Sequence, residues 1–211
     1  MAKSALLVMD VQRDIVDITG ADSGYLSRLN RAIEGARAAD IPVIYVAIAL
    51  PSGDPEVSPR NRVITNAVRA GWFTEGEAGT AIHPAVAPRP GDAVVTKRRG
   101  SAFSGSDFDL VLRARDIDSL VVTGIATSGV VLSTLCHAVD LDLGLTVLVD
   151  ACHDTETELH QALTETLFPR WGDVITVEDW LKAVAPHLSP SRGRAGRPAP
   201  PAAACPGPPL P

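Results

Sequence analysis

Scarcity narrows the reading of this sequence before any motif does. Aromatic residues make up only 4% of its 211 positions, so the adjacent pair Trp72 and Phe73 stands out in an otherwise polar, irregular stretch. The three cysteines, Cys136, Cys152 and Cys205, have no metal-ligand spacing and form no even disulfide set. No apolar run approaches the roughly 20 residues that a membrane-spanning helix needs. Neither GxGxxG nor GxxxxGK[ST] occurs, so dinucleotide and P-loop readings lack their phosphate cradle. Basic residues are outnumbered 19 to 25, and a net charge of −6 argues against nucleic-acid and anionic-membrane partners. The first apolar run stops at Asp10 with no signal-peptide cleavage pattern, which makes a cytoplasmic location the expectation.

What is present suits a globular core: 45% of residues are hydrophobic and 21% charged. Short apolar runs rich in β-branched residues recur at 5–9, 43–48, 93–96, 120–122, 145–149 and 174–177. Segments with helical periodicity separate most of them, at 21–39, 61–70, 107–115, 130–143, 155–168 and 177–185. Such alternation predicts an α/β fold: a mostly parallel sheet of about six strands, with helices on both faces in a three-layer, Rossmann-like arrangement. The domain is expected to occupy residues 1–185. From 186 to 211 the chain holds nine of its 17 prolines, three arginines and no acidic residue, a composition expected to be disordered.

The chain is organised around residues 119–134. A buried strand runs into Gly124, which permits a turn that other residues resist. Thr127 and Ser128 are N-cap candidates for the helix that follows. A strand delivering the chain to a helix N-terminus presents free N–H groups and the positive end of a dipole. Two charged residues share a matching position. Asp10 ends the first apolar run and Lys97 ends the third, so both sit at carboxyl ends of strands, where open α/β sheets bind ligands. If those ends are adjacent, the two charges pair and shift each other's pKa. Asp10 as a turn cap, and residues 97–99 as a solvated basic face, are the simpler alternatives. If the trio Lys97, Arg98 and Arg99 faces the crevice, small anionic substrates are favoured. Gln12, Trp72, Phe73, Phe103 and Ser128 are the candidate substrate contacts, with packing and capping as the plainer roles for several of them. His83 and His137 are isolated, and His153 and His160 flank a helix start.

Three separated pieces, residues 6–12, 97–103 and 123–131, followed by 149–151, resemble the isochorismatase-like hydrolases, also called the cysteine hydrolase superfamily. Order and spacing match over roughly residues 4–180. The resemblance implies that Asp10 and Lys97 are two members of an Asp-Lys-Cys triad. It also implies that the Ile125–Ala126 bond is cis and helps form an oxyanion hole, and that the protein is a homo-oligomer. The nucleophilic cysteine would lie six residues after Gly124, where this chain has Val130. Cys136 is six residues further along the helix, about 9 Å away and about 240° round, and is expected to be a buried structural thiol. A thiolate acyl-transfer mechanism therefore loses its covalent step.

An acid–base pair in a crevice still permits cleavage of a vinyl ether or a related C–O or C–N bond, with Asp10 as proton donor and water as nucleophile. The alternative is a member of the fold that binds a small molecule or a partner and catalyses nothing. No metal and no cofactor is expected, because residues 50–62 lack the Asp/His cluster of the nicotinamidase branch.

Overall fold

A computed structural model describes residues 3–53 and 57–185. The expected tail beyond residue 185 lies outside the described residues. Six parallel strands form one sheet in the order β3-β2-β1-β4-β5-β6. They are β1 (Ser4–Met9), β2 (Val43–Ile48), β3 (Ala93–Lys97), β4 (Ser119–Ile125), β5 (Gly144–His153) and β6 (Asp173–Ile175). The chain steps outward from β1 to β3, then returns to the other side of β1 with β4. Strand order therefore reverses between β1 and β4, the place where open α/β sheets form a ligand crevice.

β1 is apolar from Ala5 to Met9 because both of its faces are covered. Leu7 and Met9 join a core with Phe108, Val131, Leu135 and Phe168. Leu6 and Val8 point the other way, onto Tyr25, Leu29, Ile33 and Trp180. The helix α2 (Ser23–Ala38) buries Leu29, Ala32, Ile33 and Ala36, a single stripe at helical spacing. Asp22 starts it, its carboxylate accepting the Tyr25 N–H at 2.7 Å. On the same face, α7 (Val177–Val184) begins at Thr176, whose hydroxyl oxygen accepts the Asp179 N–H at 3.1 Å. Burying a side chain such as Leu29 fully contributes about 1.5–3 kcal/mol, so the alternating faces of one strand anchor both helical layers.

Several elements depart from the sequence-based expectation. An unforeseen helix, α1 (Arg13–Thr19), follows β1. The expected cap at Thr127 or Ser128 is absent: the turn starts at Ala126, whose carbonyl oxygen accepts the Gly129 N–H at 3.1 Å and the Val131 N–H at 3.2 Å. This wide turn, Thr127–Val131, leads into α5 (Leu132–Val139), which stops four residues short of the expected 143. β5 continues to His153 instead of ending at 149. Helix α6 (Thr157–Ala162) has no side-chain cap; the Glu156 N–H is held by Asp154 Oδ1 at 3.2 Å, in place of the expected box between Thr155 and Glu158. Helices α3 (Arg62–Arg69) and α4 (Phe108–Ala114) lie where the periodicity puts them.

Gly124 has φ of 144°, and a Cβ there would collide with the Met9 carbonyl oxygen. Both facts require glycine at the end of β4. That close approach brings the ends of β1 and β4 together.

Candidate active site

Asp10 follows β1 directly, with its backbone in the left-handed region at φ 54°. A short polar side chain tolerates that conformation better than most. Its N–H is fixed on Val46 O at 2.8 Å. Lys97 is the last residue of β3, and β2 lies between the two strands, so the charges are not on adjacent strands as expected. Two strand spacings are about 9.6 Å, and the long lysine stem spans that gap. Its Nζ lies 2.9 Å from Asp10 Oδ2 and donates to Arg99 O at 2.8 Å. Lys97 is 1% exposed and Asp10 6%.

The second carboxylate oxygen, Asp10 Oδ1, is buried without a hydrogen-bond partner among the described residues. The Ile48 N–H on β2 is committed to Gln12 Oε1 at 2.9 Å. Burial is the larger influence on Asp10 and pushes its carboxyl above the ordinary value. The Lys97 charge and hydrogen bond, and the nearby Ile48 N–H, oppose this without cancelling it. A carboxyl whose pKa is raised by burial beside a cation is suited to general-acid work.

The pair borders a cavity of about 480 Å³, within the range of small-molecule sites. Trp72 and Phe73 form part of its wall, meeting edge-to-face at 6.3 Å. The cis Ile125–Ala126 peptide, Gly129 and Val130 supply the β4 side. Ile15 and Ile18 from α1 and Val63 and Ile64 from α3 complete an apolar enclosure. The sequence reading missed these four. The i, i+3 pair Ile15 and Ile18 was the available signal for α1.

Other candidates lie elsewhere. Gln12 is fully buried, and its amide donates to Ile48 O at 2.9 Å and Thr80 O at 2.7 Å. It braces the backbone and is not among the cavity-lining residues. Phe103 packs on Phe108 and stacks on His137 at 4.5 Å, also off the cavity. Arg98 reaches Ala49 O and Glu75, and Arg99 donates to Arg98 O, so the cationic trio does not enter as a unit. Cys136 is exposed, not buried as expected, and does not line the cavity. Cys152 is buried, which pushes its thiol up to about 12.

Behind the wide turn lies a second polar group that the sequence reading left unassigned. Ser128, expected to be a cap or a substrate contact, donates its N–H to Asp154 Oδ2 at 2.7 Å. Thr127 Oγ1 is 2.8 Å from His160 Nδ1. His153 Nε2 meets Thr19 O at 3.0 Å, tying β5 to the end of α1. Among the described residues, no group of three or more His, Cys, Asp or Glu side chains is placed to hold a metal ion. No helix among them is long and apolar enough to cross a membrane.

A six-stranded parallel sheet with a buried Asp-Lys pair, a cis peptide and a small-molecule-sized cavity at its switch point is an open α/β architecture with a ligand crevice. Residues 4–179 match the isochorismatase domain family, and the chain belongs to the isochorismatase-like hydrolases. It is 32% identical to the uncharacterized isochorismatase family protein YwoC of Bacillus subtilis, over 86% of this chain and 94% of that one. It is 34% identical to the ureidoacrylate amidohydrolase RutB of Pseudomonas syringae, over 90% of this chain and 86% of that one. Among solved structures, an isochorismatase family protein from Burkholderia thailandensis superposes with a TM-score of 0.71 at 27% identity. That match covers 87% of this chain and 96% of the other.

Proposed function

We propose that the protein hydrolyses a C–O or C–N bond of a small molecule without a covalent intermediate, using Asp10 and Lys97 as its acid–base pair. The observation that carries this reading is the buried Asp10–Lys97 contact at 2.9 Å, with Asp10 lining the cavity and its Oδ1 without a hydrogen-bond partner among the described residues. Asp10 gives a proton to the substrate, either to a vinyl carbon or to a leaving heteroatom. Water then adds to the electron-deficient carbon, its proton returning to Asp10, and the adduct collapses. The C–O or C–N bond breaks, and its electron pair leaves with the oxygen or nitrogen. That atom, where it is not already protonated, takes up the proton from Asp10 as it departs as alcohol or amine. Lys97 holds the carboxyl in place through Oδ2 and stabilises the carboxylate formed when Oδ1 gives up its proton. Val130 occupies the position of the family's thiol and has no lone pair to offer, which leaves water as the nucleophile. Backbone N–H groups around Ile125, Ala126 and the following turn are assigned to stabilising developing negative charge.

Amide and vinyl ether panels with mass spectrometry of the intact protein test this reading. Turnover with no acyl adduct on the protein is expected. An adduct on Cys136 or Cys152 overturns the water mechanism. Val130→Cys should accumulate an adduct with amides, because it restores a thiol beside the pair.

One observation favours a second reading, a binding protein without turnover. Lys97 is fully buried with two hydrogen-bond partners, and such a pair can persist for structural reasons, since breaking one costs about 3–5 kcal/mol. Tight binding of a small molecule with no product from either panel would establish it.

A further inference from the structure

The sheet ends in β3 on one side and β6 on the other, and the two edges differ. β6 is three residues long, and so short an edge offers little to pair with. β3 runs over five residues in unbroken register with β2 and contains no proline. The Lys97 carbonyl accepts the Ala49 N–H at 3.3 Å, so Lys97 turns its backbone groups towards β2. That direction alternates along a strand. Ala93 and Val95 therefore face β2 as well, and Val94 and Thr96 point their N–H and C=O groups away from the sheet. Neither has a backbone partner among the described residues.

The side chains of this edge are open too. Val94 is 53% exposed and Thr96 is exposed, while Val95 and Lys97 are buried on the opposite face. Both outward residues are β-branched, the type that suits a paired strand. The one charge of β3, Lys97, turns inward to Asp10 and does not guard the edge. A groove of about 440 Å³ lies alongside, and its lining includes Val94, Thr96, Ser106 and Val111 of α4. The Arg98 N–H is already taken by Ser104 O at 3.3 Å, so the open stretch is residues 94–96. An edge of this kind is a template for another strand.

This chain offers two occupants. Residues 186–211 hold nine prolines, and their longest proline-free run, 191–197, has three arginines and two glycines, poor material for a strand. A second copy of β3 fits better, because the edge is complementary to itself. A two-fold axis at Val95 sets Val94 opposite Thr96 of the second copy, and Thr96 opposite its Val94. Each such pair exchanges both of its backbone bonds in an antiparallel ladder. The same register brings Asp92, just before the strand, opposite Arg98, just after it. Unlike charges thus lie directly opposite at both ends of the pairing, in addition to the contacts these residues already make with Arg37 and Glu75.

We propose that the β3 edge is a self-association surface on which a second copy of this chain pairs antiparallel, joining two sheets into one. The pairing needs no substrate and is independent of the Asp10–Lys97 reading.

Sedimentation velocity of the full chain over about a hundredfold range of concentration tests it. Reversible association is expected, with the Val94 and Thr96 amides exchanging hydrogen about tenfold or more slowly at the high end than at the low end. Thr96→Pro removes an outward N–H that bonds nothing within the copy, and Val94→Lys puts a charge on the exposed face of the edge. Each should weaken association by about a hundredfold while circular dichroism stays that of the parent. Leu159→Lys, at another exposed apolar position on α6, should leave association unchanged. Should Thr96→Pro fail to fold, Val94→Lys decides alone. A parent that stays monomeric overturns the proposal, and so does an assembly of any size that the edge variants leave as tight as the parent's.

Discussion

The wide turn after β4 is approached from two sides, and the two sides are built differently. On the cavity side, the Asp10–Lys97 pair is buried among apolar residues, with one carboxylate oxygen unpartnered. On the far side, Asp154 accepts N–H groups from Ser128 and Glu156, and Thr127 pairs with His160. Buried polar groups are normally satisfied, because an unmade hydrogen bond costs about 1–3 kcal/mol. The far side follows that rule and the cavity side breaks it. On the proposed reading the difference separates scaffold from chemistry: the satisfied group fixes the turn, and the residue carrying the unsatisfied oxygen borders the cavity.

Removing the carboxyl on the cavity side should produce the largest effect. Asp10→Asn is expected to lower kcat/KM by about 10²–10⁴-fold, the range typical of a lost general acid. The same change keeps an amide oxygen that can accept from Lys97 Nζ, so stability in urea titration should change by no more than about 1–3 kcal/mol. The pH dependence follows from the raised Asp10 pKa. The folded protein holds this proton more tightly than the unfolded chain. Its contribution to stability is therefore full below the unfolded pKa, about 3.8, and is lost as pH rises through the folded value. Activity that needs the protonated acid should decline across the same rise. An Asp10→Asn protein with unchanged kcat/KM would place the chemistry elsewhere.

How much of this was legible in the sequence depends on range. The ends of β1 and β3 were readable because Asp10 and Lys97 each terminate a wholly or largely apolar run. That β2 separates them was not, since strand order is set by long-range packing. Trp72 and Phe73 were readable as a wall because so few aromatics compete with them. Arg98 and Arg99 misled by adjacency: consecutive side chains leaving a strand point in different directions, and only Lys97 enters the cavity. The apolar enclosure stayed hidden because Ile15, Ile18, Val63 and Ile64 come from two helices that meet only in the fold. Asp154 had a visible signal, an acidic residue just ahead of a helix, yet its partner Ser128 lies 26 residues earlier.

A smaller, opposite pattern is expected on the far side. Asp154→Ala removes the acceptor of the Ser128 N–H at 2.7 Å and should cost about 1–3 kcal/mol. Thermal unfolding measures this directly, and kcat should stay within a few-fold because no reacting group is lost. Burial alone would raise the Asp154 pKa, but the N–H groups of Ser128 and Glu156 and the neighbouring His160 more than offset that, and the net shift is downward. Its contribution to stability is thus present above about pH 3.8 and lost as pH falls through the lower folded value. A loss of kcat comparable to that of Asp10→Asn would erase the distinction between the two sides.

The smallest expected effect belongs to His160. Burial lowers its pKa, and His153 adds to that, while Asp154 and Glu165 oppose it. The fold therefore favours the neutral ring, whose Nδ1 pairs with Thr127. Below the unfolded value of about 6.5 the unfolded chain binds the proton first, so stability falls as pH drops from there through the folded pKa. Because the ring is only partly buried, the change should amount to a few tenths of a kcal/mol, within the range of half-exposed interactions. Chemical denaturation of the parent and of His160→Gln between pH 7 and pH 5 measures it. The parent should lose stability over that interval and the variant should lose less. Equal slopes would mean that His160 does not couple the Thr127 contact to pH, and the far side would then be held by Asp154 alone.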